Sequence, residues 1–193
     1  MSKQFSRRVV YSLMLYSGLF LFSTYLTFFI GQPYLSLDFT LGEIFYMILF
    51  FVADFLWWYF SDILIRDRTY SCGTWFLANL VASLVLAPTV EELICRFFIM
   101  KVALIDGGLN VFLAAIISNI VFVALHFTEI KVETTVRSKI RTTINLSVSG
   151  FLITGMYVIS GFNILAAVIL HTAVNVIPFI LEWVTLPKCF KKL

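Results

Sequence analysis

The sequence predicts an all-α protein, a polytopic transmembrane helix bundle of about six spans. Three observations carry that expectation. Hydrophobic residues make up 61% of the 193 and charged residues only 13%, where a soluble domain carries about a quarter charged. Apolar stretches of about 20 residues, the length needed to cross a bilayer, recur along the chain. The basic residues fall almost wholly in alternate connections between those stretches.

The first apolar run, roughly 9–30, follows the charged start MSKQFSRR. It is too long for the apolar core of a signal peptide and no A-x-A site follows it, so it reads as a retained span. The second run, 42–60, ends in the aromatic cluster LWWYF, suited to an interfacial belt. The third, 74–102, is too long for one straight span and contains Pro88, which predicts a kink or an interfacial first turn. Splitting it there would make seven or eight helices. The fourth run covers 109–127, the fifth, short and with a weak start, 144–160, and the sixth 163–184.

Charge sets the expected orientation. Lys3, Arg7 and Arg8 precede the first span, and Arg66 and Arg68 follow the second. Lys131, Arg137, Lys139 and Arg141 follow the fourth, and Lys188, Lys191 and Lys192 lie in the tail. These are twelve of the fourteen basic residues, all on one side of a six-span chain. The positive-inside rule then places both termini in the cytoplasm, with the chain integral to a cytoplasmic (inner) membrane. The net charge of +3 is accounted for by these loops and calls for no nucleic-acid partner. Cys72, Cys95 and Cys189 form no C-x-x-C pair, so neither a disulfide framework nor a thiolate metal site is expected. Cys189 is also too far from the end for a prenylation signal.

Several polar residues fall inside the apolar runs. Glu91, Glu92, Arg96 and Lys101 lie in span three, Asp54 in span two, His126 late in span four, and His171 and Asn175 in span six. A charge at a helix centre costs about 2.5–3.5 kcal/mol on insertion scales, so such residues are usually turned inward, paired and functional. In EELICR, Glu92 and Arg96 are spaced i,i+4 with the acid first, the favoured order for a helical ion pair. That pair reads as structural. Glu91 has Cys95 at i+4 instead and is left for proton transfer. FVALH puts Phe122 and His126 one turn apart, and HTAVN does the same for His171 and Asn175. Taken singly, each has an ordinary reading: Asp54 a satisfied polar contact, Lys101 a snorkelling side chain, Phe122 core, a lone histidine an interhelical hydrogen bond. Taken together, a spare carboxylate, two histidines and an asparagine on three spans point to a site.

In order and spacing, Glu91-Glu92-x-x-x-Arg96, Phe122-x-x-x-His126 and His171-x-x-x-Asn175, with Ala87-Pro88 before the glutamates, resemble the motifs of one family. It is the CAAX prenyl endopeptidase and bacteriocin-processing (CPBP, or Abi) family of intramembrane proteases. The resemblance covers about residues 80–180 and suggests three parts: an N-terminal pair of transmembrane helices (1–72), a CPBP-like catalytic core (73–185) and a basic cytoplasmic tail (186–193).

The resemblance implies a bundle with a water-filled cavity open to the cytosolic side. Glu91 and His126 would activate a water, His171 and Asn175 would donate to the oxyanion, and Glu92, Arg96 and Phe122 would support the site. It implies hydrolysis of a peptide bond in a membrane-proximal peptide or protein, with membrane lipid as the other partner. Family members carry both glutamate-protease and metalloprotease labels. No H-E-x-x-H is present, and the metal-free reading is preferred. If zinc were bound, Glu91, His126 and His171 would be its ligands, a known catalytic set. Phe97 after the arginine, where many relatives have a small residue, is expected to narrow the cavity. The rival readings are a non-enzymatic immunity or scaffold protein with the same bundle, and a small transporter using the buried groups as a proton relay.

Overall fold

The structure, a computed structural model, describes residues 34–63, 82–126 and 135–185 together with Gly18. The expected first span, the cytoplasmic tail, Cys72 and Cys189, and the basic residues Lys3, Arg7, Arg8, Arg66, Arg68, Lys131, Lys188, Lys191 and Lys192 lie outside the described residues. Among those described, every regular element is helical.

Helix α1 is Leu41–Ile63. It opens on a reciprocal cap. The Thr40 N–H donates to Glu43 Oε2 at 2.7 Å and the Glu43 N–H to Thr40 Oγ1 at 3.2 Å, satisfying two donors that a helix start leaves open.

Helix α2 is a run of alternating geometry: Ala82–Leu86, Leu93–Met100 and Val102–Asp106 are π-helical, and Ala87–Glu92 is α-helical. Pro88 was expected to kink this segment, yet the backbone at Leu86 (φ −72°, ψ −50°) remains helical into it. The ordinary α-helical partner of the Leu84 carbonyl would be an N–H at position 88, which proline lacks. The widened π turns accommodate that loss, and such turns often mark functional sites.

Helix α3 is Val111–Leu125, N-capped by the Asn110 side chain, which accepts from the Leu113 N–H at 2.9 Å. Helix α4 is Val136–Ile159. It begins eight residues before the expected fifth span, because Thr135 and Ser138 form a capping box that starts the helix inside the basic segment. Arg137, Lys139 and Arg141 are therefore helical and not in a loop, and Arg141 is buried. Helix α5 is Ile164–Thr185.

By length and composition, Val136–Ile159 is the one described helix long and apolar enough to cross a membrane, while Val111–Leu125 and Ile164–Val176 are shorter apolar helices. The distribution of polarity is inside-out for a water-soluble protein. Phe45, Leu49, Phe60, Phe112, Ile120 and Phe151 are exposed, whereas Asp54, Glu91, Glu92, Arg96, Asn119 and Asn145 are buried. Abundant exposed apolar side chains over buried charged ones fit contact with a membrane or a partner.

Helix α4 packs against α1, α3 and α5, and α2 against α3 and α5. Antiparallel register between α2 and α3 is set where Ser118 Oγ donates to the Cys95 carbonyl at 2.9 Å. One turn from that bond, on either helix, stand Glu91 and Phe122. Ala166 and Ala167, both fully buried, present small faces on α5, and small residues let membrane helices approach closely.

Candidate active site

The six charged, aromatic and histidine residues of the three motifs meet in one cluster. Glu91, Glu92 and Arg96 come from α2, Phe122 and the capping residue His126 from the end of α3, and His171 from α5. All six are buried. Asn175 lies one turn beyond His171 on α5 and is half-buried.

Both histidines turn the same ring atom toward Glu91. His126 Nε2 is 3.5 Å from Glu91 Oε2, and His171 Nε2 is 3.7 Å from that oxygen. The opposite ring nitrogens identify the tautomers. His126 Nδ1 lies 2.9 Å from the Phe122 carbonyl, which can only accept, so Nδ1 carries the proton and donates. His171 Nδ1 lies 2.7 Å from Glu92 Oε1, a carboxylate oxygen that also accepts from Arg96 Nη1 at 3.2 Å. Here too Nδ1–H is the donor. In its neutral form each imidazole thus offers an Nε2 lone pair beside the Glu91 carboxylate. A water molecule placed among these three atoms would supply two O–H groups to them.

Arg96 is fixed on all sides. Its Nη2 donates to the Gly150 carbonyl at 2.8 Å and its Nε to Thr154 Oγ1 at 3.3 Å. Its Cζ stands 4.5 Å from the centroid of the Phe122 ring. Phe122 also touches both histidines, with ring centroids 4.6 Å from His126 and 5.6 Å from His171. The phenylalanine that would be core on its own is therefore the wall between a cation and two imidazoles. Gly150 is required for this packing, since a Cβ there would stand 2.9 Å from Phe122 Cδ1 and would collide with the Asn119 side chain.

Glu92 and Arg96 stand as an i,i+4 pair at 3.2 Å, and Glu92 also holds His171. Sequence reasoning missed Gly150 and Thr154, which hold Arg96 from α4, and Ser118 and Thr172, which bond the α2 backbone at Cys95 and Leu84. Thr172 Oγ1 donates to the Leu84 carbonyl at 2.9 Å, the carbonyl whose α-helical donor Pro88 removes. The proline in the "AP" dipeptide was the available signal for that contact. Phe97, expected to narrow the site, lines a separate cavity instead. Asp54 accepts from Ser149 Oγ at 2.6 Å through Oδ1, but its buried Oδ2 has no hydrogen-bond partner among the described residues, so its reading as a satisfied contact holds for one oxygen only. Among the described residues no three His, Cys, Asp or Glu side chains are arranged as they stand to hold a metal ion.

Residues 73–177, more than half of the chain and inclusive of every motif residue, match the family model described as Type II CAAX prenyl endopeptidase Rce1-like. No curated protein and no solved structure matches the chain.

Proposed function

The chain belongs to the Rce1-like family of type II CAAX prenyl endopeptidases, a membrane-associated family of proteases, and from that premise we propose that it is an intramembrane endopeptidase of glutamate type. The observation that carries this reading is the convergence of both histidine Nε2 atoms on Glu91 Oε2, at 3.5 and 3.7 Å. Glu91 and His126 hold and deprotonate the attacking water. The proton moves to Glu91 as the hydroxide adds to the scissile carbonyl, and it passes from there to the departing amine. His171 is oriented by its Nδ1–H bond to Glu92, and when a proton occupies its Nε2 that N–H donates to the oxyanion together with the Asn175 amide. Preorganised donors of this kind are often the largest single contribution to acyl-transfer catalysis. The substrate is a peptide or protein held next to the membrane.

The reading includes six spans, both termini in the cytoplasm, and residence in a cytoplasmic (inner) membrane. Its support is the placement of basic residues. His126 ends α3, and Arg137, Lys139 and Arg141 occupy the first turns of α4, so the site stands nearer the basic ends of the bundle. The mechanism is metal-free. Its alternative holds zinc on Glu91, His126 and His171, and metal content separates the two: stoichiometric zinc in the wild type that disappears in His126→Ala would replace the glutamate mechanism.

The decisive experiment compares peptide termini in membranes carrying wild type or Glu91→Gln at equal expression. Termini found only with the wild type are expected. Identical termini, with the protein's biological effect retained by the variant, would favour the immunity or scaffold reading.

A further inference from the structure

Helix α1 lies outside the residues matched to the family, yet it carries Asp54, a fully buried carboxylate that the hydrolysis proposed at Glu91 does not use. Three contacts align α1 with α4 as antiparallel neighbours. Phe50 meets α4 at Gly155, where a Cβ would stand 3.4 Å from Phe50 Cε2. Asp54 Oδ1 accepts from Ser149 Oγ at 2.6 Å, and Trp57 Nε1 donates to Asn145 Oδ1 at 2.9 Å. Residues 50, 54 and 57 share one face of α1, so the two polar bonds set both the rotation and the depth of α4 against it.

The residue after Ser149 is Gly150, whose carbonyl accepts from Arg96 Nη2 and from Thr154 Oγ1, each at 2.8 Å. Thr154 Oγ1 accepts in turn from Arg96 Nε at 3.3 Å. Both α4 groups that hold the guanidinium thus lie within about one and a half turns of Ser149. Arg96 holds Glu92, and Glu92 orients the His171 imidazole. A displacement of α4 at Ser149 is therefore passed to His171 through bonded groups at every step.

The bond that anchors this series is a strong one. Its 2.6 Å length lies in the range of about 2.5–2.7 Å for a hydroxyl donating to a carboxylate, roughly twice as strong as a bond between neutral groups. Asp54 Oδ2 is buried with no hydrogen-bond partner among the described residues, which is unfavourable for a charged oxygen. A neutral acceptor would bond Ser149 without stranding that oxygen, so what the carboxylate adds is the strength of the bond.

We propose that Asp54 is a positioning residue for the oxyanion side of the site: its carboxylate holds Ser149, and with it the α4 turn that fixes Arg96, Glu92 and His171. Helix α1 is then part of the catalytic unit, although no motif marks it. The effect on rate rests on the hydrolytic reading of the site, whereas the effect on His171 does not.

The test uses the full chain in detergent, labelled with ¹⁵N at histidine. The protein has two histidines, so each ring gives its own NMR signals, assigned with His126→Ala. Asp54→Ala and Ser149→Ala should each move the His171 Nδ1–H proton upfield as its bond to Glu92 lengthens. The His126 signal should move less, because His126 Nδ1 bonds within its own helix. On a peptide released by the wild type, both variants should lower kcat by about 10–10²-fold, the scale of a small misplacement at a site, with KM unchanged. The double variant should lose no more than the larger single loss. Asp54→Asn, which offers Ser149 a neutral acceptor, should fall between Asp54→Ala and the wild type. Thermal unfolding shows which variants are folded, and Asp54→Asn decides the matter where the alanine variants are not. An unmoved His171 signal in a folded Asp54 variant would overturn the assignment, as would a lower melting temperature with kcat unchanged. Equal movement of both histidines would overturn it too, by revealing a general loosening, and so would multiplicative losses in the double variant. A wild type that cleaves no peptide would sink the hydrolytic reading instead, and the histidine signals alone would then decide the role of Asp54.

Discussion

Glu92 Oε1 accepts hydrogen bonds from His171 Nδ1 at 2.7 Å and from Arg96 Nη1 at 3.2 Å, so one carboxylate oxygen joins a clamp within α2 to an imidazole on α5. Arg96 is fully buried and tied to α4 through Gly150 and Thr154. The position of His171 therefore depends on three helices at once.

That dependence separates two substitutions. Glu92→Ala removes the acceptor from both partners, and stranding one member of a buried pair costs about 3–5 kcal/mol. Thermal unfolding in detergent should show a large loss of stability, together with loss of cleavage. Glu92→Gln keeps a carbonyl oxygen for the two donors, so it should unfold closer to the wild type while cleaving more slowly. Wild-type melting of Glu92→Ala would mean that Arg96 does not need this partner.

Glu91 should behave in the opposite way. It faces the two histidines at the site rather than Arg96, so Glu91→Gln should leave the melting temperature nearly unchanged. Cleavage should fall by about 10²–10⁴-fold, the usual contribution of a general base, measured on a peptide released by the wild type. An active Glu91→Gln would remove the carboxylate from the mechanism.

Gly150→Ala tests packing behind the site. The added methyl would stand 2.9 Å from Phe122 Cδ1 and collide with the Asn119 side chain, and overpacking typically costs about 1–3 kcal/mol. Because Phe122 contacts both histidine rings, activity should fall further than stability alone explains. Comparing cleavage well below the melting temperature of each protein measures that excess. A fully active, stable variant would show that Asn119 and Phe122 can give way freely.

Thr172→Val removes the hydroxyl that donates to the Leu84 carbonyl and keeps the side-chain shape. Interhelical hydrogen bonds in membranes average about 0.6 kcal/mol, so the melting temperature should drop slightly. Adding Pro88→Ala, which restores an N–H at that position, should reduce the cost of Thr172→Val. Additive losses in the double variant would show that Pro88 and Thr172 are not coupled through this carbonyl.

Much of the site was legible because helical spacing is local. The i,i+4 intervals from Glu92 to Arg96, Phe122 to His126 and His171 to Asn175 place each pair on one helix face before any tertiary contact is known. The helix boundaries were legible only in part. Thr40-x-x-Glu43 and Thr135-x-x-Ser138 are local caps, yet the second sits in a basic segment whose charge suggested a loop. There the local capping box starts the helix, and Ser138 and Arg141 are buried within it.

Composition and spacing by themselves determined the helical membrane class, the family and the residues worth testing, because lipid demands long apolar helices and makes buried charges rare. Tertiary structure alone decided that Glu92 serves His171 as well as Arg96, that Phe122 separates a guanidinium from two imidazoles, and that Phe97 lines a cavity apart from the motif residues. Those relations join residues far apart in the chain, on helices whose relative rotation and register no periodicity encodes. They arise where Gly150 lets Arg96 and Phe122 approach α4, and where Thr172 meets the carbonyl that Pro88 cannot bond.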